Sequence, residues 1–260
     1  MNSVEISNLS HVYHSATSGS QEALSNLNLQ VANGELVSIV GPSGCGKTTL
    51  LKLASGLLTP TNGSIRVHGK TPEEARSNRE LGFMFQEDVL LPWRSVIANI
   101  NLPFELAGKD RYDEDVASLM HLIQLNGFER NFPRELSGGM RSRVALARAI
   151  ALSPSILMLD EPFGALDEET SRDLNLELLR VWKKRTPTVL LVTHDIEHAV
   201  FVSKRVLIMS KRPGTILREV LVELPEPRDQ ATRYSDKFFE HVTSVRRELE
   251  AAHEKAPMRR

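Results

Sequence analysis

A single cysteine, Cys45, occurs in 260 residues. That excludes an internal disulfide framework and any zinc site built on several thiolates. No stretch approaches the roughly 18 apolar residues a membrane-spanning helix needs, so the chain is not expected to cross a bilayer alone. An excess of one charge is also missing. Lys+Arg 32 against Asp+Glu 33 leaves a net −1, which argues against a protein whose main task is coating nucleic acid. The opening Met1-Asn2-Ser3-Val4-Glu5 has no basic segment followed by an apolar run, so no secretory leader is expected. Neither an internal repeat nor a low-complexity tract is present. What remains is 41% hydrophobic and 25% charged, the balance of an ordinary globular protein long enough for a real core. The expectation is a cytosolic α/β protein.

Short β-branched runs at Leu36–Val40, Ile156–Leu159 and Val189–Val192 predict buried strands, apolar on both faces. Amphipathic stretches alternate with them: Thr48–Gly56, Asp115–Asn126, Gly138–Leu152 and Glu168–Lys184. Strands separated by helices predict βαβ crossovers and a mostly parallel sheet. The first 35 residues and Ser64–Gly69 instead alternate apolar and polar positions, with turn signals at Ala32-Asn33-Gly34 and Thr61-Asn62-Gly63. This predicts an antiparallel β flap with hairpin turns there. A helical insertion is expected over about 91–152, inside one domain covering 1–225. The tail, 226–260, opens with Pro-Glu-Pro and predicts a charged helix over Ser235–Glu254, too short for a second domain.

Gly41-Pro42-Ser43-Gly44-Cys45-Gly46-Lys47-Thr48 matches G-x-x-x-x-G-K-[ST] at every fixed position, between a strand and a helical pattern. Glycines let successive N–H groups point inward as an anion nest, and the helix start adds its partial positive charge. Lys47 is expected to reach the β- and γ-phosphates and Thr48 to ligate Mg²⁺, with Thr49 beside it in the nucleotide-binding set. Cys45 reads as a small residue in a tight loop, since no neighbouring base or resolving thiol is evident. Further on, the apolar strand ends in Asp160-Glu161. Asp160 is placed to hold the Mg²⁺ shell and Glu161 to polarise the attacking water. No Asn-Lys-x-Asp base reader of a GTPase occurs, so ATP is the expected nucleotide.

Leu136-Ser137-Gly138-Gly139-Met140 resembles the signature sequence of ATP-binding cassette (ABC) proteins. A serine and two glycines opening a helix form a second anion-binding end. By that resemblance, two chains pair head to tail, and each ATP lies between one chain's phosphate loop and the other's Ser137, Gly138 and Gly139. The family likeness further implies that Tyr13 stacks on adenine and that Gln86 joins the Mg²⁺ and water shell. It also implies that Ala165-Leu166-Asp167 crosses the dimer interface and that His194 is the switch histidine. Met140, Ser142 and Gly164 depart from the family pattern, where Gln, Gln and Ser are common.

Leu90-Leu91-Pro92-Trp93, Gly-Gly-Met-Arg after Ser137, and Arg212-Pro213-Gly214 look narrower still. They are similar to the ATPases of nitrate, sulfonate, taurine and bicarbonate importers. That likeness implies separate transmembrane permease subunits, received in a groove that includes Trp93, and an extracytoplasmic solute-binding protein. The place implied is the cytoplasmic face of the cell membrane. An exporter subunit, or a soluble non-transport ABC ATPase, shares the catalytic motifs and stays open at this point.

Overall fold

The computed structural model describes residues 2–15, 19–108, 113–164 and 166–254. Three strands pair antiparallel in the order β2-β1-β4: β1 (Asn2–Ser15), β2 (Gly19–Ala32) and β4 (Asn62–Val67). Six more form the central sheet. Their order is β5 (Leu81–Met84), β6 (Ile156–Asp160), β7 (Thr188–Val192), β3 (Leu36–Val40), β8 (Arg205–Met209) and β9 (Ile216–Leu221). All are parallel except β9, which runs antiparallel to β8 at the edge.

Every residue of β3, β6 and β7 is buried, as continuous apolar runs in a parallel sheet require. The period of two then divides each strand between two cores. Val37, Ile39, Met158, Leu190 and Leu207 face a cluster shared with Val4 and Leu27 of the flap and Leu50 of α1 (Lys47–Ala54). Leu36, Val40, Leu159, Leu191 and Ile208 face the other cluster. There they meet α3 (Val96–Leu106), α5 (Gly138–Ile150), α6 (Glu168–Arg185) and α7 (Ile196–Val202). Two further helices, α2 (Pro72–Ser77) and α4 (Asp113–Leu122), complete the α-helices before the tail among the described residues.

The flap is antiparallel as expected, but the two turn signals do not close hairpins. The residues between β1 and β2, 16–18, lie outside the described ones. Asn33-Gly34 hands the chain from the flap to the central sheet, and Asn62-Gly63 opens β4 after α1. Both glycines do adopt positive φ, 71° and 84°, and a Cβ on Gly63 would stand 2.4 Å from the Asn8 carbonyl oxygen. A turn sequence fixes a local reversal; burial decides which sheet the chain enters next.

The tail is built into the core. Phe238, Val242 and Val245 of α8 (Asp236–Glu254) belong to the helical-side cluster. Arg228, upstream of α8, donates from Nη1 to the carbonyls of Val200, Phe201 and Ser203 at 3.2, 2.8 and 2.9 Å. These groups lie at the end of α7, where carbonyls lack helical partners.

Candidate nucleotide site

The loop 41–46 joins β3 to α1 at the carboxyl edge of the central sheet, where open α/β sheets place their ligands. Gly44 and Gly46 take φ of 73° and 112°. Space is also short at Gly46, where a Cβ would come 2.7 Å from Leu24 Cδ2 and 2.9 Å from the Ala23 oxygen. Lys47 is 6% exposed. Its ammonium donates to the carbonyls of Gly41 and Pro42 at 2.8 and 3.1 Å, curling back over the loop. Burial pushes the Cys45 thiol up, with only partial opposition from Lys47, so the cysteine is a packing residue of the loop.

Thr48 donates its hydroxyl to Asp160 Oδ1 at 3.0 Å. Asp160 is 3% exposed. Burial and then the charge of Glu161 raise its carboxyl, against the Thr48 hydrogen bond. A buried carboxylate under that strain favours a cation beside it.

Glu161 has φ 46°, a left-handed conformation rare for a residue with a Cβ. Its backbone N–H donates to the Val192 carbonyl at 2.8 Å, which holds the turn. The side chain accepts from Gln86 Nε2 at 3.4 Å, and His194 Nδ1 lies 3.0 Å from the same oxygen, Oε2. Lys47, Thr48, Thr49, Gln86, Glu161 and His194 line one cavity of 460 Å³ together with Ser43, Gly44 and Gly46. Tyr13 stands beside it, its hydroxyl 3.2 Å from Thr49 Oγ1.

The signature residues are elsewhere. Ser137 caps α5, accepting from Met140 N at 3.3 Å, and Asp167 caps α6, accepting from Thr170 N at 2.9 Å. A Cβ on Gly139 would meet Thr170 Cγ2 at 2.4 Å, so the two helix starts abut. Ser137, Gly138, Gly139 and Asp167 do not line the phosphate cavity of their own chain. Ala165 lies outside the described residues.

Sequence reading missed two contributors. Arg212 lines the phosphate cavity; the signal was Gly214, where a Cβ would stand 2.2 Å from the Cys45 oxygen and force this loop against the other. Asp88 accepts from Ser142 Oγ at 2.9 Å, while Arg148 donates to the carbonyls of Asp88 and Val89, both at 2.9 Å. Ser142, a departure from the family pattern, therefore ties α5 to the segment after Gln86. At Gly164 a Cβ would come 3.2 Å from His194 Cε1, so glycine leaves that ring room.

A phosphate cradle at the edge of a parallel sheet, faced by an acid at the end of the adjacent strand, defines a nucleotide-binding P-loop ATPase fold. The ABC transporter model matches residues 24–164. The chain belongs to the ABC transporter family. It is 41% identical over 239 residues to the aliphatic sulfonates import ATP-binding protein SsuB of Bacillus cereus, covering 92% of each chain. Nitrate import ATP-binding protein NrtD of Synechocystis is 42% identical over 225 residues, 85% of this chain and 83% of that one. Among solved structures, dimeric MJ0796, a bacterial ABC transporter cassette, superposes with TM-score 0.75 at 31% identity over 85% of this chain and 99% of that one. Its post-hydrolysis dimer bound to ADP and Pi matches with the same TM-score at 32% identity.

Proposed function

We propose that this chain is the ATP-hydrolysing subunit of an ABC importer for a small anion or sulfonate-like solute. The observation that carries the reading is the convergence of Gln86 and His194 on one oxygen of Glu161, inside the phosphate cavity. Glu161 orients the attacking water and takes its proton, while His194 and Gln86 fix the carboxylate and complete the γ-phosphate shell. Lys47, already folded over the loop, neutralises phosphate charge, and Tyr13 offers its half-exposed ring to adenine. The nearly buried Asp160 with the Thr48 hydroxyl, joined by Gln86, forms an oxygen donor set that fits Mg²⁺, a cation that keeps several waters. Bound there, Mg²⁺ would supply charge neutralisation at the β- and γ-phosphates.

Exposed Ser137 and Asp167, away from their own chain's cavity, are supplied to the nucleotide of a second copy. Among the described residues no helix is long and apolar enough to cross a membrane, so permease chains carry the solute path. The ATPase sits peripherally on the cytoplasmic face, and an extracytoplasmic solute-binding protein delivers cargo. A groove of 310 Å³ with Phe83, Leu102, Pro103 and Leu106 in its walls suits a short permease helix. Trp93, 71% exposed, offers an anchor outside that lining. Names of the SsuB and NrtD relatives support both the import direction and the anionic cargo.

Glu161→Gln should retain ATP binding and slow hydrolysis by about 10²–10⁴. Lys47→Ala should instead weaken ATP binding itself. Nucleotide-binding titrations beside phosphate-release rates separate the two. Wild-type turnover in the Gln variant would remove Glu161 from its role.

A further inference from the structure

The loop 210–215 between β8 and β9 is pinned on every side where it meets the phosphate loop. Ser210 N–H donates to the Thr215 carbonyl at 2.9 Å. The Ser210 hydroxyl accepts from Thr215 N–H and donates to the Pro213 carbonyl, both at 2.9 Å. Gly214 ties the loop to the flap, donating to the Ala23 carbonyl at 2.8 Å and accepting from Ser25 N–H at 3.1 Å. Its backbone is also tight against the Cys45 carbonyl, and a Cβ on Gly41 would stand 3.1 Å from Met209 Cβ. The end of β8 and the loop after it are therefore packed directly on the phosphate cradle.

Arg212 stands on this pinned loop. It is exposed, and it lines the phosphate cavity beside Ser43 and Gly44. Burial lifts the Cys45 thiol and Arg212 is among the charges that oppose it, so its positive charge reaches into the phosphate loop. Among the described residues Arg212 forms no ion pair. The one acid lining the cavity is Glu161, which already meets Gln86 and His194. Lys47, the other cation of the lining, is folded back on the carbonyls of its own loop. A nucleoside triphosphate carries more negative charge than one ammonium and one divalent cation neutralise, and Arg212 is the uncommitted charge at hand.

We propose that Arg212 is a further nucleotide-binding residue, whose guanidinium takes phosphate oxygens of ATP from a loop separate from the one that carries Lys47. The planar fork of a guanidinium can meet two phosphate oxygens at once, where an ammonium acts as a point charge. Cations delivered from two loops fix the phosphate chain in direction as well as in place, and the tight backbone at Gly214 keeps the second loop at its post. The contact is to substrate and not to the attacking water, so its loss falls on nucleotide affinity. The inference rests on the reading of this cavity as the ATP site.

Wild type, Arg212→Ala, Arg212→Lys and Lys47→Ala are titrated with the β,γ-imido analogue of ATP and with inorganic tripolyphosphate. Mg²⁺ and ionic strength are held constant, at a concentration where the chain elutes as a monomer, so that no second copy adds contacts. Arg212→Ala should weaken both ligands by about ten-fold, the scale of a charged hydrogen bond. Its melting curve without nucleotide should match wild type, because the side chain is exposed. Arg212→Lys should recover part of the loss, since it restores the charge without the fork. Unchanged affinity in Arg212→Ala, where Lys47→Ala does lose affinity, would overturn the proposal and leave the ATP site standing. Weaker binding of the analogue alone, with tripolyphosphate unaffected, would move Arg212 away from the phosphates and overturn it as well. So would a lowered melting curve in Arg212→Ala with no recovery in Arg212→Lys, which makes the residue a prop of its loop. If Lys47→Ala binds both ligands as wild type does, the site reading itself fails and takes this proposal with it.

Discussion

Glu161 owes its place to its backbone. The left-handed φ costs of the order of 1 kcal/mol or more and is held by the bond to Val192; from that turn the carboxylate meets Gln86 and His194. Cys45 shows the opposite economy, a reactive group kept inert by burial. In the folded chain at neutral pH its thiol should react with a maleimide at least about ten-fold more slowly than in urea, because the thiolate is the nucleophile. Equal rates, followed by mass spectrometry, would refute a buried Cys45. Motif spacing made the surroundings of Lys47 and Asp160 legible, since short covalent spacing around a strand end dictates local geometry. The Ser142–Asp88 bond joins residues 54 positions apart, and no local pattern encodes that distance. Arg212 lies far along the sequence from the phosphate loop, and its approach appears once β8 and β9 are placed.

Among the elements, β3, β6 and β7 were readable because each is a short run with four buried apolar residues, too short for a helix and set off by turn and helix signals on either side. β8 was not separated. The apolar end of α7, Val200-Phe201-Val202, is followed by Val206-Leu207-Ile208 after only three residues, and a helix and a strand buried on all sides carry the same pattern. Between α5 and α6, Arg143 Nη1 lies 2.9 Å from Glu177 Oε1, yet off line for a hydrogen bond to that oxygen. Burial therefore prevails over the arginine charge, and the Glu177 carboxyl is pushed up from 4.5 to about 7. Below about pH 4.5 this group is protonated in both states. From there to about 7 only the unfolded chain releases the proton, so stability falls as pH rises through that window and is level above it. The loss is at most about 3 kcal/mol. Glu177→Gln should be more stable than wild type at about pH 8, and the gap should close toward pH ~4.5. Urea denaturation across that range decides it. At the far end of α7, Arg228→Gln should cost about 2 kcal/mol, the scale of a charged hydrogen bond to buried carbonyls. Because α7 begins next to His194, ATP turnover should fall more than ATP affinity, and Arg228→Lys should restore part of it. Parallel losses in both constants would confine Arg228 to stability.

For the molecule as a whole, one chain exposes a helix start that its own nucleotide cavity does not use. Ser137→Arg should block pairing while leaving ATP on its own phosphate loop. Mixed with Lys47→Ala chains it should recover activity, since each heterodimer then holds one intact loop facing one intact signature. Full activity of Ser137→Arg alone would reduce Ser137 to a helix cap. Trp93→Ala should weaken permease association by about 2 kcal/mol if Trp93 is a central anchor, with ATP affinity of the isolated subunit unchanged. Co-purification with the permease checks it, and normal complex formation would remove Trp93 from that surface. The ties of Asp88 and Val89 to α5 have one more consequence. α5 has 13 residues and so is a rod about 20 Å long, tied to that segment at Ser142 and Arg148, with exposed Ser137 at its start. Two points of attachment keep a rod from swivelling on either one. A push on the segment after Gln86 is therefore delivered, as by a lever, to the tip that would grip the neighbouring chain's nucleotide.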